Sequence, residues 1–148
     1  MSKKNALFFH LRLNTEHKGI SIAANIDREN STMGIDYFSF ENKDQYSKRL
    51  GRAIAKERAK KSPLFTMTFT DIDNPYRSFI KLALAITNNV SSISNLREMG
   101  TGKKVSANFV VNNTGLQLQN ITIYDKKTKE INEVDRLNVI QPLLESLS

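Results

Sequence analysis

The sequence predicts an α+β or mainly β chain: an antiparallel barrel of five to six strands, with a helix between the third and fourth strands and extra helices beyond it. Three observations predict this. Apolar residues alternate with polar ones in three runs within the first forty residues. A Lys- and Arg-rich run with helical spacing follows them. Strand-like runs then return, divided by one strongly apolar helical stretch. At 148 residues the chain suits a single domain, 1–148, with a C-terminal helical segment over about 132–148.

Residues 5–14, NALFFHLRLN, place Leu7, Phe9, Leu11 and Leu13 on one strand face and Phe8, His10 and Arg12 on the other. Residues 19–27, GISIAANID, turn Ile20, Ile22 and Ile26 inward. Residues 33–41, MGIDYFSFE, form an aromatic strand in which Tyr37 opposes Phe38 and Phe40, so that one of these sets lies outside the core. Short polar turns, EHKG and RENS, join the three into an antiparallel meander. The basic helix begins after Asn42, an N-cap with Gln45 three residues on. Tyr46, Leu50, Ala53 and Ile54 supply a narrow apolar stripe for docking, and Ser62-Pro63 ends the helix.

PLFTMTFTD reads as the fourth strand, with Phe65, Met67 and Phe69 on one face and threonines on the other. In DIDNPYRSFIKLALAITNN, Asn74 caps a second helix and Pro75 takes its first position. The run from Phe79 to Ile86 is apolar nearly all round, which predicts burial. TNNVSSISNLREMGTGKK is a long polar loop or a frayed extension of that helix. VSANFVVNN and LQLQNITIYDKK form a hairpin with Asn113-Thr114-Gly115 at its turn. The tail from Asn132 carries Val134, Leu137, Ile140 and Leu144 at helical spacing, interrupted by Pro142. Three strands, helix, strand, helix, two strands, helix is close to the layout of the OB-fold barrel, with one added helix. The competing architectures are an open antiparallel sheet with helices on one face, or a PC4-like or Whirly-like nucleic-acid sheet.

Composition narrows the function. The formal net charge is +7 and the isoelectric point about 9.7, which favour acidic partners, nucleic acid before an anionic membrane surface. No cysteine is present, so thiolate and disulfide chemistry are excluded. The N-terminal MSKKNALFFHLRLN does not read as a signal peptide, and no window is long and apolar enough to span a bilayer. A cytoplasmic location and no membrane partner are expected. The two histidines, His10 and His17, fall in no metal-ligand motif. Asp71 and Asp73 form a DxD pair that fits the start of a helix better than a cation site. Gly100-Thr101-Gly102-Lys103-Lys104 lacks the strand before and the helix after that a phosphate loop requires. No nucleophile, base and orienting group can be named together, so no enzyme activity, cofactor or metal is expected.

The charge is concentrated. Residues 43–61 hold eight Lys or Arg against two acids, a net +6 of the chain's +7. Lys48, Arg52, Lys56 and Lys60 recur every four residues and fall on one ridge, with Arg49 beside it. Only Glu57 lies within the helix to offset them, whereas a merely solubilising face mixes signs. Single-strand binding needs flat side chains for stacking as well as cations. Phe8 shares a strand face with His10 and Arg12. Tyr124 falls opposite Ile121 and Ile123 and next to Lys126, and Tyr76 adjoins Arg77 at a helix start. These twelve residues are the candidate nucleic-acid contacts.

The segment DYFSFENKDQYSKRLGRAIAKERAKK, and within it Gly51-Arg52-Ala53-Ile54-Ala55, resembles OB-fold single-stranded DNA-binding proteins of conjugative plasmids and phages, the PrgE-like proteins among them. The order of elements over about residues 5–127 is similar to theirs. The resemblance implies sequence-independent binding of single-stranded DNA by base stacking and phosphate contacts, with self-association along the strand. RNA and duplex DNA are weaker partners on this reading. The apolar-periodic C-terminus, LNVIQPLLESLS, departs from the acidic disordered tail of housekeeping proteins of this type. The alternative class is an interaction or inhibitor protein of a phage or plasmid, which would engage an acidic protein through the same helix.

Overall fold

A computed structural model describes residues 5–13, 18–40, 48–70, 75–89, 93, 103–112, 115–133, 141 and 145. Its elements are β1 (Ala6–Leu13), β2 (Lys18–Asp27), β3 (Thr32–Phe40), α1 (Lys48–Lys61), β4 (Phe65–Phe69), α2 (Tyr76–Asn88), β5 (Lys103–Asn112), β6 (Gly115–Asp125) and β7 (Ile131–Glu133). The expected strands and both central helices are present, and the helix between the third and fourth strands is α1. The caps and turns expected at Asn42, Gln45, Tyr46, Asn74, Asn113 and Thr114, the Asp71–Asp73 pair, His17, residues 94–102 and most of the tail lie outside the described residues.

All seven strands form one sheet in chain order, β1 to β7. Neighbours are antiparallel except β4 and β5, which run parallel. The sheet is open, which corrects the expected closed barrel of five to six strands. The strands pair in chain order and β1 does not pair with β7, so the two edges never meet. The parallel β4–β5 pair needs a crossover, which α2 supplies on a sheet face. The short β7, not anticipated from the sequence, pairs only with β6, so β1 and β7 remain opposite edges.

Strand alternation assigns the faces. Ile20, Ile22, Ala24 and Ile26 of β2 pair across to Leu7 and Phe9 on β1 and to Met33, Ile35 and Tyr37 on β3. With Phe65, Met67, Phe69, Ala107, Phe109 and Ile121 they form the main core, closed by Phe79, Leu82, Ala83 and Ile86 of α2. Burial of Phe79, Leu82, Ala83, Ala85 and Ile86 accounts for most of the apolar run of α2, whereas Leu84 is 48% exposed. The other face of β1–β3 carries α1. There Ala55 and Ala59 pack on Ala23, with Phe8 and Phe38 at the sides. Because both faces are covered, β2 is buried continuously from Gly19 to Ala24. The helices therefore lie on both faces of the sheet.

The docking face of α1 differs from the expected one. Leu50 and Ala53 are exposed and Ile54 is half-buried, whereas Gly51, Ala55 and Ala59 are buried. Small side chains every four residues let the helix backbone approach the sheet. The approach is close at Gly34, where a Cβ would stand 2.6 Å from the Ala59 carbonyl oxygen and 3.0 Å from Pro63 Cγ. Of the β3 aromatics, Tyr37 sits in the main core and Phe38 is partly buried against the α1 cluster. Asp36, fully buried, fixes the return from α1 into β4. Its carboxylate accepts hydrogen bonds from the backbone N–H of Tyr37 at 2.7 Å and of Leu64 at 3.2 Å.

Candidate nucleic-acid interface

Successive helix positions advance by about 100°. With Gly51, Ala55 and Ala59 against the sheet, Arg49, Arg52, Lys56 and Lys60 fall on one flank of α1, and all four are exposed. Lys48 is the first residue of the helix, four positions before Arg52. Glu57, the one acid of α1, lies outside that ridge and meets Lys61 at 2.6 Å, one turn on. The Lys61 ammonium holds the Glu57 carboxyl below its usual range, and Glu57 raises Lys61 in return. The acid is thus engaged by a lysine that does not belong to the ridge. Arg58, Lys60 and Lys61 in the last turn also complement the helix dipole.

Two arginines show which way the flanks face. Arg58 reaches toward β3, donating from Nη1 to the Tyr37 carbonyl oxygen at 3.0 Å and lying 5.4 Å from the Phe38 ring centroid. Arg52 reaches the opposite way, with its guanidinium carbon 4.1 Å from the Phe8 centroid on β1. The cation ridge therefore runs along the β1 side of α1, at the edge of the sheet. Beneath it Phe8 and His10, alternate residues of β1, lie nearly parallel, with centroids 6.3 Å apart and planes inclined by 7°. His10 Nδ1 and the buried Ser21 Oγ are hydrogen-bonded at 2.9 Å, which fixes the imidazole against β2. Arg12 occupies the next alternate position of β1, paired with Gly19.

The structure thus brings Phe8, His10 and Arg52 together under the ridge of Arg49, Lys56 and Lys60. It separates the remaining candidates from them. Tyr76, 54% exposed, and Arg77 start α2 on the opposite face of the sheet. Tyr124 and Lys126 lie at the end of β6, with β2 to β5 between them and β1.

Tyr124 nevertheless shares the side of the sheet that α1 occupies. Thr66 pairs with Gly34, the residue under Ala59, so it lies on the α1 side. From Thr66 a side-chain ladder runs across the strands: its hydroxyl donates to Asn108 Oδ1, and Asn108 Nδ2 donates to Asn120 Oδ1 at 2.7 Å. Thr122 and Tyr124 continue the alternation from Asn120, and Lys104 pairs with Tyr124. Among the described residues no helix lies over this polar part of the sheet. At its end Lys126, Lys127 and Lys129 surround a turn held by Asp125, whose carboxylate accepts the Lys127 N–H at 2.9 Å. The ladder and Lys104 were not singled out from the sequence, although Ser106, Asn108, Asn120 and Thr122 at alternate positions announced a polar strand face.

Among the described residues no three His, Asp or Glu side chains are grouped to hold a metal ion. None of their helices is long and apolar enough to cross a membrane. Comparison with protein-family models, curated proteins and solved structures returns no match to the chain.

Proposed function

We propose that the chain binds single-stranded nucleic acid, single-stranded DNA first, through α1 and β1 and without sequence preference. The observation that carries this reading is the segregated ridge of Arg49, Arg52, Lys56 and Lys60, all exposed, with the single acid of the helix turned aside to Lys61. Cations aligned on one flank can follow a phosphate backbone, and they give affinity without reading base edges. The Arg52–Phe8 contact adds a stacking element. A guanidinium laid on a ring presents its outer plane to solvent, and bases stack on such planes as they do on aromatic rings. The helix between the third and fourth strands is the trait shared with the OB-fold proteins of plasmids and phages. The mobile-element reading rests on that sequence resemblance, while the open sheet departs from the barrel.

The second reading is docking of an acidic protein. Leu50, 52% exposed, and the exposed Ala53 lie on α1 beside the cations, a mixture that suits an acidic amphipathic segment. Fluorescence anisotropy with labelled oligo-dT, duplex and RNA over a salt series separates the two. Nucleic-acid binding gives log affinity falling linearly with log salt, with a slope of about −0.7 per phosphate neutralised on a single strand. Absence of oligo-dT binding at low salt would leave the acidic-protein reading.

A further inference from the structure

A cleft of about 390 Å³ opens on the face opposite α1, where α2 meets the β5–β6 hairpin. Arg77, Ser78 and Lys81 line one wall, and Val111, Asn112, Gly115 and Leu116 line the other. Arg77 and Lys81 are one helical turn apart, which places their stems on the same ridge of α2, and both are exposed. Val111 and Leu116 are partly buried against the core and give the cleft an apolar floor. Asn112 and Gly115 pair at the end of the hairpin. Gly115 has φ of 117°, a conformation that favours glycine, and a Cβ there would meet nothing within 4 Å. The residue is thus required by the backbone and leaves the mouth of the cleft open. Among the described residues no acid lines it.

We propose that this cleft binds a phosphate group, at a site separate from the α1 ridge. Two cations one turn apart, with no acid among the described lining residues, suit a phosphate better than a carboxylate, because phosphate carries up to two negative charges and three acceptor oxygens. A phosphate offers oxygens to Arg77 and Lys81 together and leaves others for the Ser78 hydroxyl and the Asn112 amide. The cleft also exceeds the size of a bare phosphate, and its apolar floor suits the organic part of a phosphorylated ligand. The shared chemistry is the phosphate. Its source is either a free phosphorylated small molecule or the backbone of a nucleic acid that passes around the sheet edge.

The test is titration calorimetry and amide chemical-shift mapping of the full chain with inorganic phosphate, thymidine 5′-monophosphate, thymidine and sodium acetate. Phosphate and the monophosphate should bind and shift the amides of Ser78, Asn112 and Gly115, while thymidine and acetate leave them in place. Arg77→Gln and Lys81→Gln should each weaken phosphate binding about tenfold through the loss of a charge-assisted hydrogen bond. Both positions are exposed, so thermal melts should match the parent. An Arg49→Gln, Arg52→Gln, Lys56→Gln variant should retain the phosphate titration, which keeps this proposal independent of the α1 interface. A lower salt slope for oligo-dT in the Arg77→Gln, Lys81→Gln double variant identifies the nucleic-acid backbone as the source. An unchanged slope with phosphate binding lost identifies a small molecule. Equal binding of acetate, no binding of phosphate, or phosphate binding unaltered in the double variant overturns the proposal.

Discussion

The Arg52 guanidinium lies 4.1 Å from the centre of the Phe8 ring, joining the cation ridge of α1 to the edge strand of the sheet. The contact orients a side chain that would otherwise move freely in solvent. It also keeps one ring face of Phe8 from water. A double-mutant cycle with Phe8→Leu and Arg52→Gln should give a coupling of about 0.5–1 kcal/mol in unfolding free energy. Additive effects would show that the pair does not interact in solution.

Replacing Lys48, Arg52 and Lys56 with alanine should weaken oligo-dT binding and reduce the salt slope by about 0.7 for each phosphate no longer neutralised. The melting temperature should fall by no more than the loss of the Arg52–Phe8 contact accounts for, about 2–4 °C, because the docking face is Gly51, Ala55 and Ala59. Anisotropy across a salt series and a thermal melt measure the two effects. A parental slope in the triple variant would reduce the ridge to a solvated helix face.

Glu57→Gln should tighten oligo-dT binding by about twofold at low salt, because it removes the only negative charge of α1 and releases Lys61. The same change tests the pH linkage. The Glu57 carboxyl is lowered in the folded chain by Lys61, so its contribution to stability is present above the unfolded value. That contribution is lost as pH falls through the lower, folded value. Melts of parent and variant should therefore converge below the ordinary carboxylate range, with the parent the more stable at neutral pH.

Gly34→Ala should destabilise the fold by about 1–3 kcal/mol, the usual cost of overpacking. The new Cβ would stand 2.6 Å from a backbone oxygen, which cannot rotate away as a side chain can. Denaturant unfolding gives the value. A parental midpoint would mean that α1 can lift off the sheet at little cost.

Tyr124 lies on the α1 side of the sheet, with the polar ladder of Thr66, Asn108 and Asn120 between it and α1, so on the proposed reading a strand held by α1 would cross that ladder to reach it. Tyr124→Ala should therefore cost about 1–3 kcal/mol of binding for long oligo-dT, if a base stacks there, and nothing for oligomers too short to cross the ladder. Tyr76→Ala, on the other face, should leave the affinity of short oligomers unchanged. Anisotropy against oligomer length distinguishes these outcomes from a loss that ignores length.

Local chemistry in the sequence determined the elements. Period-two alternation marked β1 to β6, and Pro63 ended α1 where a proline must. The cation ridge was also legible, because spacing by four within a helix fixes a common flank whatever the helix packs on. Tertiary structure decided the rest. Alternation says which residues share a face but not which strand lies beside which, so the parallel β4–β5 pair and the open sheet could not be read. Burial of α1 followed closeness of approach: Gly51, Ala55 and Ala59 let the backbone reach Gly34, where the bulkier Leu50 would hold it off. The site divided for the same reason. Phe8, His10 and Arg52 meet because α1 crosses β1–β3, while Tyr76 and Arg77 go to the other face because the apolar stripe of α2 closes the main core there.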